Sequence, residues 1–438
     1  MEQFDAIIVG GSVAGSPTAT WLARKGHKVL VLEKDCFPRD ANSTHFIWPR
    51  GMSYLNRLGV ADKVRAETPH FRDLEVNIEG IRLHGRVPPE AVKERFQALH
   101  GDAEGVVDWY AGPRRFFLDK LLLDEARSAG ADVRENTVVQ SLIFEDGRVV
   151  GVCALGPDGQ TIMASAKVVI GADGRMSRFA GHVGAQKTAV REKSTFAYYG
   201  YYSGIDKPEL CIHKKGRFGT AIFPTMQERH LVLVYGPTAW WGEFSRDPET
   251  NFLATYDFVA PDVAALVRQG KRVEDFKAMG RMVAFHRETF GRGWVLVGDA
   301  CSFKDQWTAM GITHALRDAE LVSTHLDRVL RGDVAWEDAM QRYSDVRAAD
   351  YEDYWSMVCD GAEMSVYTPA QLAFFESIHN EQAKVDTFMG QVGDTISLKH
   401  PIEPGQNVAT PPAAIRDFDP KALGYLENPF VAAVALAA

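Results

Sequence analysis

The groups in this sequence whose types and spacing could do chemistry stand at the ends of short apolar runs. Gly10, Gly11 and Gly15 follow Ala6-Ile-Ile-Val9, and Glu33 closes the run from Lys28 to Leu32. Glycine lets backbone N–H groups come close to a phosphate, and the N-terminus of a helix favours negative charge. A carboxylate at the end of the second strand can accept hydrogen bonds from ribose hydroxyls. The chemistry expected is the holding of a dinucleotide: Gly10, Gly11, Ser12, Val13, Ala14 and Gly15 around a pyrophosphate, Glu33 on a ribose, and Lys34 beside it. Ser12 takes the place of the middle glycine of G-x-G-x-x-G and is small enough to keep the approach close.

Two later apolar runs end in the same way. Ala166-Lys-Val-Val-Ile170 leads through Gly171-Ala172 to Asp173-Gly174, and Trp294-Val-Leu-Val297 leads to Gly298-Asp299. Asp299 can reach a ribitol or ribose hydroxyl. A helix beginning at Gly311-Ile312 and running to about Leu330 can hold partial negative charge at its first turn. Arg114 and Arg115 stand in the first turn of another helix, whose stripe is Phe117, Leu118, Leu121, Leu122 and Ala126. Cations there oppose the helix dipole, so an anionic partner is expected, either a cofactor pyrophosphate or a carboxylate such as Asp119. Ser43, Thr44, His45 and Arg50 lie close in sequence to the nucleotide site. Thr44 and Val138 complete the expected cofactor set.

Positioning these groups takes a βαβ unit at the start: a strand at 6–9, a helix from about Ser16 to Lys25, and a second strand at 28–32. A short helix follows around Met52 to Leu58. Leu74 to Leu83 alternates apolar and polar residues and reads as one half-buried strand; beyond the Pro88-Pro89 break, Ala91 to Leu99 reads as a helix. From 181 to 290 the texture is strand-rich and aromatic. In Thr195 to Tyr202, residues Phe196, Tyr198 and Tyr202 share one face and Tyr199 and Tyr201 the other. Tyr198, Tyr202 and Phe223 are the expected cavity residues. Beyond 335 the chain reads as helical, with Thr368-Pro369 as a helix start.

A length of 438 residues exceeds one core and predicts two domains or one discontinuous pair. Hydrophobic content of 46% with 24% charged residues is that of an ordinary globular chain, and a net charge of −9 without a basic run excludes a nucleic-acid surface. The few residues before the first strand leave no room for a signal peptide, and the apolar tail Phe430 to Ala438 is shorter than the roughly 18 residues of a spanning helix. A cytoplasmic protein with no membrane partner and a docking tail is expected. Five scattered cysteines without C-x-x-C, and histidines without ligand spacing, predict reduced thiols and no metal.

The three strand-end signatures at 10–15, 171–174 and 298–299, with an arginine-bearing helix between the first two, resemble the FAD-dependent monooxygenases of the para-hydroxybenzoate hydroxylase type. Flavin halogenases and geranylgeranyl-reductase-like enzymes belong to the same wider group. The resemblance covers about residues 4–330. It implies a discontinuous Rossmann-like FAD-binding α/β domain (1–69, 109–180 and 291–335). An inserted antiparallel substrate domain of α+β type (70–108 and 181–290) and a helical C-terminal region (336–438) would complete the chain. By the same resemblance Gly10 to Gly15 hold the pyrophosphate, Glu33 the adenosine ribose and Arg115, in Arg-x-x-Leu-Asp, the FAD. Asp173-Gly174 corresponds to the motif linked to both FAD and NAD(P)H, and Asp299 to the ribitol ligand. Gly311 and Ile312 would offer N–H groups to the flavin N1–C2=O2 edge.

The sequence departs from that pattern after Asp299, where Ser302 replaces His, Gln306 replaces Pro, and Thr308 and Ala309 replace glycines. Trp307 and Met310 are expected to wall the substrate and position the flavin together with Gly311 and Ile312. The implied activity is hydroxylation of an aromatic or unsaturated small molecule with O2 and NAD(P)H through a C4a-hydroperoxyflavin. The halogenase signature G-W-x-W-x-I-P is absent. Reduction of C=C bonds, halogenation and non-catalytic flavin binding are the alternatives. No second glycine-rich βαβ unit exists, so NAD(P)H binds transiently over the flavin or a separate flavin reductase supplies electrons.

Overall fold

The apolar runs that flank the glycine turn become the middle of an eight-stranded sheet in the computed structural model, which describes residues 1–405. Its strand order is Phe290–Gly291, Trp294–Leu296, Thr161–Gly171, Glu2–Val9, Val29–Leu32 and Asp132–Arg134, and the antiparallel strands Val138–Glu145 and Arg148–Leu155 join at Thr161–Gly171. The central strands are parallel and covered on both faces, which is why they are nearly continuous in Val, Ile and Leu. Ile7, Ile8, Leu30, Val31, Val169 and Ile170 are all fully buried. Parallel pairing places Val9, Leu32, Gly171 and Leu296 side by side, so the segments after them leave along one edge of the sheet.

The helices Gly15–Arg24, Arg115–Ser128 and Gly311–Arg331 pack at that sheet, and Trp336–Gly361 runs against Gly311–Arg331. A second eight-stranded sheet draws its strands from 74–85 and 195–279. Thr195–Ser203, Arg229–Pro237, Phe218–Thr225 and Leu210–Lys215 pair in succession, and Leu210–Lys215 pairs in parallel with Leu74–Ile78.

The run 74–83, expected to be one strand, is a hairpin of Leu74–Ile78 and Ile81–Gly85. Glu79 and Gly80 take φ of 53° and 94° and form the turn, with the Gly80 N–H donating to Asn77 Oδ1 at 2.9 Å. A two-residue hairpin turn needs positive φ at both central positions, and glutamate is not a residue that announces it. A second difference lies within 181–290, where Pro248–Val259 and Pro261–Gln269 are helices covering one face of the second sheet.

The chain beyond 335 is helical at Trp336–Gly361, Pro369–Ile378 and Gln382–Val392. Thr368 and Gln371 form a reciprocal capping box at the second of these. The apolar stretch 430–438 lies outside the described residues. Among the described residues no helix is long and apolar enough to cross a membrane.

Candidate active site

Along the edge where the parallel strands end lies a cleft of about 620 Å³. The glycine turn forms its floor at one end. Gly10 has φ of 105°, and a Cβ there would lie 2.5 Å from the Ala172 carbonyl oxygen. A Cβ on Gly15 would lie 1.8 Å from the Gly10 carbonyl oxygen, so the turn and the first turn of the helix close only with glycine at both places. Gly10, Ser12, Val13 and Ala14 face the cleft, while Gly11, Gly15 and Gly298 stand behind its lining.

Glu33 lies at the cleft with its carboxylate buried. One oxygen accepts the Gly11 N–H at 2.7 Å and the other the Asp35 N–H at 2.9 Å. Burial pushes its pKa up, opposed by these two hydrogen bonds. The anionic partner of the two helix-start arginines is a protein carboxylate in each case. Arg115 pairs with Asp119 through Nε and Nη2, both at 2.9 Å, and also donates to Ser12 Oγ at 2.7 Å while lining the cleft. Arg114 pairs with Glu274 and Asp40 and stacks 4.0 Å over the Tyr201 ring.

Lys34, Thr44, Val138, Asp173, Gly174 and Asp299 also line the cleft. The Asp173 carboxylate is occupied locally, accepting Ser177 Oγ at 2.5 Å and the Phe179 N–H at 3.0 Å. That of Asp299 has no hydrogen-bond or ion-pair partner among the described residues, and burial pushes its pKa up against the pull of Lys304 and Arg115. The helix Gly311–Arg331 begins as expected, without a side-chain cap, and Gly311 and Ile312 reach the cleft. Ala309 adopts φ of 55°, a left-handed conformation that favours glycine.

Four of the expected wall residues lie elsewhere. The Trp307 indole donates to the Val358 carbonyl at 2.8 Å and packs on Gly361, so it joins its loop to the helix Trp336–Gly361 instead of facing the cleft. Met310 is buried in the core. Tyr198 and Tyr202 project to the far face of their strand, into a cluster with Phe244 and Phe252 under the helices 248–269. Phe223 points the right way but stands behind the cleft, touching His45 and Phe46 edge-on.

The residues in those places are others. Tyr199 and Tyr201 take the cleft-side face of their strand but stand behind the lining residues Ser43 and His45: Tyr199 Oη accepts the Ser43 N–H at 3.1 Å, and Tyr201 Oη lies 2.9 Å from His45 Nε2. His45 lines the cleft with φ of 45°; burial, the largest influence, holds its pKa down to about 3, so the imidazole is neutral at physiological pH. Phe46, Met279, Met282, Phe303, Lys304 and Gln306 supply the remaining wall. His45 was legible as a polar neighbour of the nucleotide loop, whereas Lys304 carried no sequence signal.

Residues 3–355 match the model of the FAD binding domain family. The chain belongs to that family. This FAD-binding protein is 23% identical over 438 residues to the 1H-pyrrole-2-carbonyl-[peptidyl-carrier protein] chlorinase of Pseudomonas fluorescens, covering 91% of each chain. It is 28% identical over 360 residues to aklavinone 12-hydroxylase DnrF of Streptomyces peucetius subsp. caesius, covering 75% of this chain and 68% of that one. Among solved structures the flavin-dependent brominase Bmp2 superposes with a TM-score of 0.74 at 19% identity, over 90% of this chain and 94% of that one. The fold, the family and the FAD-dependent oxidoreductase class follow together, and the site is built to match. The glycine cradle admits no side chain, Asp299 offers an unpartnered carboxylate, and a helix N-terminus without a side-chain cap opens on the same cleft.

Proposed function

We propose that the protein hydroxylates an aromatic or otherwise unsaturated small molecule, using FAD, O2 and NAD(P)H. Gly10 to Gly15 and Arg115 bind the pyrophosphate in this reading, Glu33 the adenosine ribose, and Asp299 the ribitol. Gly311 and Ile312 offer N–H groups to the pyrimidine edge of the flavin. When bound, FAD supplies hydride acceptance and oxygen activation; the protein supplies position and a dry site. The observation that carries the reading is the continuity of the cleft. It runs from the strand-end groups to a wall of Phe46, Met279, Met282 and Phe303, with His45 as a neutral polar group among them. Apolar walls exclude water from the reacting centre, and His45, kept neutral by burial and joined to Tyr201, offers the substrate a polar group without a charge. The likeness to a protein named as an aklavinone 12-hydroxylase supports the same choice.

NAD(P)H meets the cleft transiently near Asp173-Gly174, where Arg175 and Arg178 also line it, or a separate reductase delivers electrons. A second reading is halogenation, favoured by the match of the chlorinase over nine-tenths of both chains. The test is to supply FAD, NADH or NADPH and a panel of phenolic and polycyclic compounds, and to measure O2 and NAD(P)H consumed per product. Hydroxylation predicts one of each per product without halide. Product that needs chloride or bromide selects halogenation, and product made anaerobically selects C=C reduction.

A further inference from the structure

Behind the flavin-side helix the protein buries a set of charges in which each acid is already taken. Arg50 pairs with Asp350 and Asp394; Arg317 pairs with Asp350 and Asp318; Arg347 reaches Asp318 at 3.0 Å. At the cleft end of this set stands Lys304, only 5% exposed and part of the cleft lining. Its ammonium has no hydrogen-bond or ion-pair partner among the described residues. It rests 5.1 Å over the ring of Tyr351, a ring that Arg317 and Arg347 also approach, at 4.9 and 5.4 Å. Asp299 is the acid that acts on it most strongly, yet the two form no ion pair. The cleft is thus lined by a buried cation that no carboxylate among the described residues pairs with directly.

We infer that Lys304 is a redox-selective cofactor-binding residue, whose ammonium holds the anionic reduced form of the bound flavin in preference to the neutral oxidised form. The inference rests on the reading of Asp299 and of Gly311 with Ile312 as flavin contacts. Lys304 lies on the segment that joins them, residues 300–310, and so faces the flavin end of the cleft; the glycine turn and Arg115 serve the pyrophosphate end. Oxidised isoalloxazine is neutral. Taking up a hydride, two electrons and one proton, from NAD(P)H leaves one negative charge on the ring, and that is the change a fixed cation can read. No bond to Lys304 forms or breaks, and it keeps its proton throughout. Burial holds its pKa down to about 8, so it is charged at neutral pH.

The experiment compares wild type with Lys304→Met, Lys304→Gln and Lys304→Arg. FAD affinity is measured in the oxidised state by fluorescence titration, and the midpoint potential of the bound flavin by anaerobic reduction against a reference dye. The expected result is that the Met and Gln variants lose about tenfold of the preference for reduced FAD, a shift of about 30 mV to lower potential for a two-electron couple. Oxidised FAD affinity stays within threefold, and Lys304→Arg keeps the wild-type potential. An unchanged potential in the Met and Gln variants overturns the inference, as does an equal weakening of both redox states. Should Lys304→Met not fold, Lys304→Gln and Lys304→Arg decide alone. Wild type that takes up no FAD refutes the underlying site reading; wild type that binds FAD while the variants keep its potential refutes the role of Lys304 only.

Discussion

His45 Nε2 and Tyr201 Oη lie 2.9 Å apart with their rings stacked at 5.8 Å, so a cleft-lining imidazole is joined to a buried phenol. Arg114 stands 4.0 Å over the same phenol ring. On the proposed chemistry His45→Asn lowers kcat for a hydroxylated substrate by up to about tenfold, the worth of one positioning hydrogen bond. Asparagine tolerates the left-handed backbone at this position, so the fold and FAD uptake are unchanged. Steady-state kinetics beside a flavin titration check both halves.

His45 also sets a pH dependence. Its pKa is depressed from an ordinary 6.5 to about 3 by burial, so the unfolded chain binds a proton that the folded one refuses. The stability this contributes is present above pH 6.5 and is lost as the pH falls from there towards 3. The melting temperature of wild type therefore falls more steeply across that window than that of His45→Asn. Thermal melts at several pH values between 7 and 4 measure the difference. Equal slopes would show that His45 is not buried neutral.

Arg50 is fully buried between Asp350 and Asp394 and ties the early helix Pro49–Arg57 to the chain after the helix Gln382–Val392. Arg50→Met leaves two carboxylates without their main partner and should cost 3–5 kcal/mol, the range for breaking a buried ion pair from one side. Urea unfolding of the FAD-loaded protein gives the value.

Trp307, which is tied to the helix Trp336–Gly361, and Met282, which lines the cleft, behave oppositely on substitution. Trp307→Phe removes a hydrogen bond to the Val358 carbonyl and lowers stability by about 1 kcal/mol, with KM unchanged. Met282→Trp, at the cleft, changes which substrates are accepted and leaves stability nearly unaltered. A substrate panel run with both variants separates them.

What could be read from the sequence was local. Gly10, Gly15 and Glu33 are fixed by one βαβ unit, and the groups after Gly171 and Val297 by strands whose burial shows in their composition. The directions of Trp307, Tyr198 and Tyr202 depend on partners far along the chain. The helix Trp336–Gly361 takes the indole, and the helices at 248–269 cover one face of the aromatic sheet. Alternation tells which tyrosines share a face, and only the covering helices decide that Tyr199 and Tyr201 are the pair towards the cleft. Lys304 was illegible for a different reason, since a lone lysine in a loop carries no mark of burial.

On the proposed chemistry, oxygen from O2 enters the substrate beside a flavin held in this cleft. This is tested most directly by a single turnover of FAD-loaded protein, reduced with dithionite in the absence of NAD(P)H and halide and mixed with ¹⁸O2 and a phenolic or polycyclic substrate. Hydroxylation gives one ¹⁸O atom per product molecule in wild type, with less product in His45→Asn. Product without the label, or product that appears only when chloride or bromide is added, would contradict it.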